Sequence, residues 1–173
     1  MRNKKVIVVT GNPRSRTSMM MHCLSLCGVP LAFTNLEGRN RKEYRNTYGF
    51  YEGQWNGEDG AIKCFAYQSY PNYPTPRFIY MDRGVDKIMK SWKEIMPSTI
   101  PPEKIQKRKA FITKNKQLRL EAIKEYPHVI IDSDKFVLNP QCYRGDFERV
   151  FPELDFDTLI KGIDIKLYVD RGN

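Results

Sequence analysis

Two hydrophobic periods alternate along this chain. Lys5-Val-Ile-Val-Val-Thr10 is β-branched and apolar on both faces and breaks at Gly11-Asn12-Pro13, the pattern of a central parallel strand running into a loop. A helix is predicted to start near Thr17, with apolar positions at Met20, Met21, Leu24 and Leu26 to Cys27, and Gly28 followed by Pro30 supplies its stop. Thr34 to Asn56 is polar, holds no sustained apolar period and reads mostly as loop. Two further strands are predicted at Ala61 to Phe65 and Arg77 to Met81, the second after a Pro-rich turn from Tyr70 to Pro76. Helices follow at Val85 to Ile95 and Glu103 to Tyr126, the latter with Ile105, Phe111, Ile112, Leu118 and Ile123 for its buried stripe. His128 to Asp132 reads as a fourth strand, and short helices are expected at Asp134 to Leu138, at Cys142 to Phe151 and from about Asp157.

Strands alternating with helices imply an α/β fold in three layers, a central parallel sheet covered by helices on both faces. No repeat, Gly/Ser linker or low-complexity stretch divides the chain, so residues 1–173 are expected to form a single domain. The first apolar run, Val6 to Thr10, is too short for a membrane span or the core of a signal peptide, which makes the expected location cytoplasmic. Cys23, Cys27, Cys64 and Cys142 fall at irregular spacings that suggest reduced thiols and no zinc frame, with Cys23 and Cys27 read as small buried hydrophobes.

Charge narrows the partner. Lys plus Arg number 29 against 20 for Asp plus Glu, a formal +9, while 40% hydrophobic content suffices for one core. Such an excess attracts nucleic acid, acidic membrane surfaces and phosphorylated small molecules alike, so position must choose among them.

The first strand delivers the chain into Gly11-Asn12-Pro13-Arg14-Ser15-Arg16-Thr17-Ser18. In open parallel sheets ligands bind beyond the carboxyl ends of strands, and a helix start offers unpaired N–H donors and a positive dipole end to an anion. Arg14 adds a charge-assisted or bidentate contact, and the Thr17 and Ser18 hydroxyls complete a cradle for a phosphate-like group. The plainer alternative is an ordinary turn in which Ser15 or Thr17 caps the helix. Laid on the Walker A pattern, the octet has Arg16 at the second Gly, Thr17 at the Lys and Ser18 at the end. Without the Lys, the usual grip on the phosphates of a nucleoside triphosphate is missing.

Thr10-Gly-Asn-Pro-Arg-Ser-Arg-Thr-Ser-Met-Met-Met21 resembles the 5′-phosphosulfate loop of the sulfotransferase superfamily, P-[KR]-S-G-T-[ST], in the form found in short bacterial and phage-type members. Asn46-Thr-Tyr-Gly-Phe-Tyr-Glu52 is similar to the family's N-P-K-G-[FY]-[FY]-E segment, and Ala61-Ile-Lys-Cys64 to its A-[VI]-K strand. Phe78 to Trp92 resembles the strand-loop-helix in which an Arg and a Ser eight residues later hold the donor's 3′-phosphate, here Arg83 and Ser91. Asp164-Ile-Lys-Leu-Tyr-Val-Asp-Arg171 is similar to a closing D-x-x-L-Y-x-x-R. The resemblance implies a P-loop-like fold and metal-independent transfer of a sulfuryl group from 3′-phosphoadenosine 5′-phosphosulfate to a hydroxyl or amine of a small-molecule or saccharide acceptor. It implies a donor site at Asn12, Pro13, Arg14, Ser15, Arg16, Thr17, Ser18, Arg83, Ser91 and Arg171, with Arg14 at the bridging oxygen. The family's usual Gly is Arg16 here; the expectation is that Arg16 points outward or that the loop is reshaped, since a side chain resists positive φ.

A hydroxyl acceptor also needs a proton acceptor. Glu37 and Glu52, in the segment after the first helix, are the candidates; Glu52 has capping or an ion pair with a loop Arg as its plainer role. His22 reads as a packing residue, His128 as remote from the donor, and Asp82 as a structural partner of Arg83. The cations of Lys104 to Lys124, opposed there only by Glu121, suggest either a basic nucleic-acid-binding module or, more in keeping with the scarcity of aromatics, a solvated helix face. Tyr44, Tyr48, Phe50, Tyr51 and Trp55 fit an acceptor pocket, a stack on adenine or a satellite core. A protein that binds the nucleotide without catalysis is the other alternative.

Overall fold

The computed structural model describes residues 4–34, 54–94 and 100–163. Its strands are β1 (Val6–Gly11), β2 (Phe33–Thr34), β3 (Gln54–Trp55), β4 (Gly60–Lys63), β5 (Pro76–Asp82) and β6 (His128–Asp132). Its helices are α1 (Thr17–Leu26), α2 (Val85–Lys93), α3 (Pro102–Ile123), α4 (Ser133–Leu138), α5 (Arg144–Val150) and α6 (Phe156–Ile160). β4, β1, β5 and β6 lie side by side in that order, every pair parallel, so the expected parallel α/β sheet is present. β1 sits at the interior of the sheet and is buried at all six positions, which is why its sequence carries no polar face.

Alternate residues of the strands feed two cores. Ile7, Val9, Ile79, Met81, Val129 and Ile131 face α1 and the C-terminal helices, where Met20, Leu24, Phe136, Phe147 and Leu159 complete the larger cluster. Val6, Val8, Ile62, Phe78 and Tyr80 face the other way, against Tyr70, Tyr73 and Ile123 of α3. A third, smaller cluster joins Ile88 and Met89 of α2 to Ile112 of α3. The sheet is therefore flanked by helices on both faces. Among the described residues, no helix is long and apolar enough to cross a membrane.

Several boundaries move. Tyr67–Asn72 forms a 3-10 turn where only a Pro-rich turn was expected, and Pro140–Tyr143 makes another that displaces the start of the Cys142-to-Phe151 helix to Arg144. Gln54 and Trp55, assigned to loop by sequence, pair antiparallel with Phe33 and Thr34, a ladder too short to show a period. The Val85 helix ends at Lys93, and Ile95 lies outside the described residues. Phe111, expected in the buried stripe of the long helix, is 53% exposed; the guanidinium of Arg108 lies over its ring at 5.4 Å. All four cysteines are free thiols. Cys23 is buried in the larger core, which, with Cys27 nearby, pushes its thiol up to about 12, whereas Cys27 is only half-buried.

Candidate functional site

Because the four strands are parallel, the segments leaving β1, β4, β5 and β6 emerge at one edge of the sheet. Gly11 ends β1 with φ 143°, and an added Cβ would stand 2.3 Å from the Met81 carbonyl oxygen of β5. Only a residue without a side chain lets the chain leave the sheet there. The following turn is closed by the Ser15 N–H donating to the Asn12 carbonyl at 3.1 Å, and Arg14 and Arg16 both take left-handed conformations, φ 74° and 64°. Arg16, not Ser15 or Thr17, is the N-cap of α1, and among the described residues no side-chain hydrogen bond caps it, so the plainer reading of Ser15 or Thr17 as a capping residue does not hold. The Ser15 hydroxyl is fully buried and has no hydrogen-bond partner among the described residues.

Side chains from distant parts of the chain meet this loop. Arg14 donates from Nε and Nη2 to the Ser91 Oγ of α2 at 3.1 and 3.0 Å, and Arg83, just past β5, donates from Nη1 to the Arg14 carbonyl at 3.2 Å. The residues assigned by sequence to two separate phosphate pockets thus adjoin. Lys63, the last residue of β4 and buried, donates to the Ser18 Oγ at 2.9 Å. Thr17 is buried; Pro13 and Ser18 are half-buried.

Arg16 corrects an expectation. It neither points outward nor avoids the positive φ: it takes the conformation a Gly would take and turns its guanidinium onto Asp134 at 2.9 Å, the two side chains being 14% and 8% exposed. Asp134, in the first turn of α4 beyond β6, also receives Lys87 at 2.9 Å and lies 3.4 Å from Arg83 Nε. Burial works to raise the Asp134 carboxyl, but the hydrogen bonds from Lys87 and Arg16 and the charge of Arg83 hold it below the ordinary carboxylate value. Arg83 is drawn down by burial and by the like charges of Arg16 and Arg14, with Asp134 acting against both.

Asp82 is a structural partner, of the Arg83 backbone N–H at 2.9 Å and of Lys116 Nζ at 2.6 Å. His128 begins β6 at the amino end of the strand, away from the loop, with Nδ1 at 2.8 Å from the Tyr126 carbonyl; His22 lies half-buried within α1. Trp55 packs, partly buried, against the core on the Val6 and Val8 face of the sheet, edge-on to Tyr73 with ring centres 6.2 Å apart. Glu37, Glu52 and Arg171, and the aromatics Tyr44, Tyr48, Phe50 and Tyr51, lie outside the described residues.

The basic helix is less of an anion surface than its composition implies. Lys107 pairs with Glu103, Lys109 with Asp86, Lys116 with Asp82 and Lys124 with Glu121, so much of its charge is balanced locally. One of its cations instead turns inward: Arg119 is 6% exposed and donates from Nη1 to Asn12 Oδ1 at 2.8 Å and from Nε to the Phe65 carbonyl at 2.9 Å. Lys63, Asp134 and Arg119 are the members of the site that residue-by-residue reading passed over. The signal for Lys63 was its place in an otherwise apolar strand; that for Arg119 was its alignment with Ile112 and Ile123 on one helix face. No protein-family model matches the chain, and no curated protein matches it either.

Proposed function

We propose that this protein is a sulfotransferase-like enzyme that moves a sulfuryl group from 3′-phosphoadenosine 5′-phosphosulfate to a hydroxyl or amine of a small-molecule or saccharide acceptor. The observation that carries the reading is the uncapped start of α1 beneath a left-handed loop, with the buried Ser15 hydroxyl unpartnered and Arg14 and Lys63 alongside. Backbone N–H donors, a hydroxyl and the two cations bonded beside this loop are the groups a tetrahedral oxyanion takes. The adjoining Arg83 and Ser91 supply a second set of donors, which fits a nucleotide phosphorylated at both ends of its ribose.

In the proposed reaction the acceptor oxygen or nitrogen forms a bond to sulfur as the bond between sulfur and the bridging oxygen breaks. The bonding pair leaves with that oxygen, so negative charge grows on the 5′-phosphate. Arg14, Lys63 and the first N–H groups of α1 are fixed before that charge develops, which is where electrostatic stabilisation is largest. The acceptor's proton passes to a carboxylate, Glu37 or Glu52 in this reading.

Titration calorimetry with 3′-phosphoadenosine 5′-phosphate, the product nucleotide, tests the donor site. Wild type binds, and Arg14→Ala weakens binding by roughly ten- to a hundredfold, the loss of one charge-assisted contact. No binding by wild type would overturn the reading. If Glu37 or Glu52 is the base, its Gln variant keeps nucleotide affinity and loses about 10²- to 10⁴-fold in transfer rate. Tight nucleotide binding with no transfer to any hydroxyl or amine in a broad acceptor panel would establish the non-catalytic alternative instead.

A further inference from the structure

We propose that Arg119 is a positioning residue for the anion-binding loop, and that α3 acts as the clamp that holds the loop's shape. Positions 112, 116, 119 and 123 are spaced to lie along one face of a helix. The outer two are the buried apolar residues Ile112 and Ile123, which pack on the smaller clusters at either end. The inner two are cations, and both are spent on the carboxyl ends of strands. Lys116 bonds Asp82 at the end of β5, and Asp82 in turn accepts the Arg83 N–H. Arg119 bonds the Phe65 carbonyl just past β4 and the Asn12 side chain just past β1. Asn12 returns its own Nδ2 donor to the Ile112 carbonyl at 3.3 Å, and its backbone carbonyl accepts the Ser15 N–H that closes the loop. One helix face therefore ties together three of the strand ends from which the site is built.

An apolar side chain at 119 would fill the same space without the desolvation cost of a buried guanidinium, so packing alone does not call for Arg. The planar fork reaches two acceptors on two different segments at once, and a Lys, with a single point of charge, does not reproduce that geometry. The chain of bonds runs from Arg119 through Asn12 to the amide of Ser15. Arg119 would thus set the direction of loop donors while standing behind them.

The inference rests on the reading of the loop as an anion site, and the experiment separates the two. Amide hydrogen exchange is followed in wild type, Arg119→Met, Arg119→Lys and Asn12→Ser, with titration of 3′-phosphoadenosine 5′-phosphate in parallel. Arg119→Met is expected to lose protection at the Ser15 amide, the loop N–H that bonds the Asn12 carbonyl, while β1 and β5 amides stay protected, to bind the nucleotide at least about tenfold more weakly, and to be rescued only in part by Lys. Asn12→Ser removes the side-chain bonds of Asn12 to Arg119 and Ile112 and serves if Arg119→Met does not fold; combined with Arg119→Lys its loss should be less than additive, since both variants remove the bond between Arg119 and Asn12. Unchanged loop protection in the Arg119 and Asn12 variants, or protection lost evenly across sheet and loop, overturns the positioning role. A wild type that fails to bind nucleotide, with loop protection still dependent on Arg119, overturns the donor-site reading and leaves the clamp standing.

Discussion

Replacing Arg16 by Gly and by Ala isolates the backbone cost of the loop. Arg16 sits at φ 64°, ψ 23°, a left-handed conformation that costs a residue bearing a Cβ roughly 1–2 kcal/mol and costs Gly little. Gly returns part of that gain, about 0.4–1 kcal/mol, because its unfolded chain has more conformations to lose. Both variants forfeit the bond to Asp134 alike, and in both Asp134 keeps Lys87 and the neighbouring Arg83. The difference between them is therefore the strain net of entropy, about 0.5–1 kcal/mol in favour of Gly. In a chain of this length that corresponds to an unfolding midpoint roughly 2 °C higher for Arg16→Gly than for Arg16→Ala, with Asn, which tolerates this region, between them. Thermal and urea unfolding of the three variants, without ligand, give the order. An Ala variant as stable as the Gly variant or more so would refute it, since that is the ranking helix propensity imposes on a residue already inside the helix.

Two other perturbations test the frame around the loop. Gly11→Ala would drive a Cβ to 2.3 Å from the Met81 carbonyl oxygen at a φ of 143°, and a loss of roughly 2–5 kcal/mol in urea unfolding is expected; a loss within about 0.5 kcal/mol would show that β1 and β5 part easily there. Asp134 has a folded-state carboxyl below its unfolded value, so its contribution is present above the ordinary carboxylate range and lost as pH falls through the folded value. The stability difference between wild type and Asp134→Asn should shrink as the pH falls into and below the ordinary carboxylate range, and a difference that stays constant on acidification would refute the charged role.

What could be read along the chain was what neighbours in sequence decide. A strand buried on both faces has to be apolar throughout, and β1 is; a loop that ends such a strand and opens a helix declares itself by Gly11, Pro13 and the hydroxyls after them. Arg83 and Ser91, eight residues apart, both meet Arg14, because a strand end and the helix after it form one continuous unit. What was hidden depends on partners far along the chain. Asp134 lies 118 residues beyond Arg16, and no local pattern marks an aspartate in a first helical turn as anything but a favourable dipole charge. Arg119 was masked for a different reason. In a helix that otherwise carries its cations on the surface, one more cation reads as solvent-facing, although its alignment with Ile112 and Ile123 places it on the buried face. Phe111 made the converse error, an aromatic taken for core that lies outside under Arg108.

The formal charge of +9 is not spread evenly over function. On α3, cations are matched by Glu103, Asp86, Asp82 and Glu121, so the long-range field that first suggested a polyanion partner is damped where the Lys and Arg are densest. At the strand ends the balance has another purpose. Arg14, Arg16 and Arg83 stand close enough that the others' charge depresses Arg83, and a cluster of that kind would spread apart without a counter-charge. Asp134 supplies one from within the fold, bonding Arg16 and Lys87 and facing Arg83. The cost is a weaker field toward any incoming anion; the return is a set of donors already oriented when it arrives. Selectivity in such a site comes from geometry more than from charge number, and for that reason the bonds fixing the loop, from Gly11 on β5 to Asn12 on Arg119, matter as much as the cations themselves.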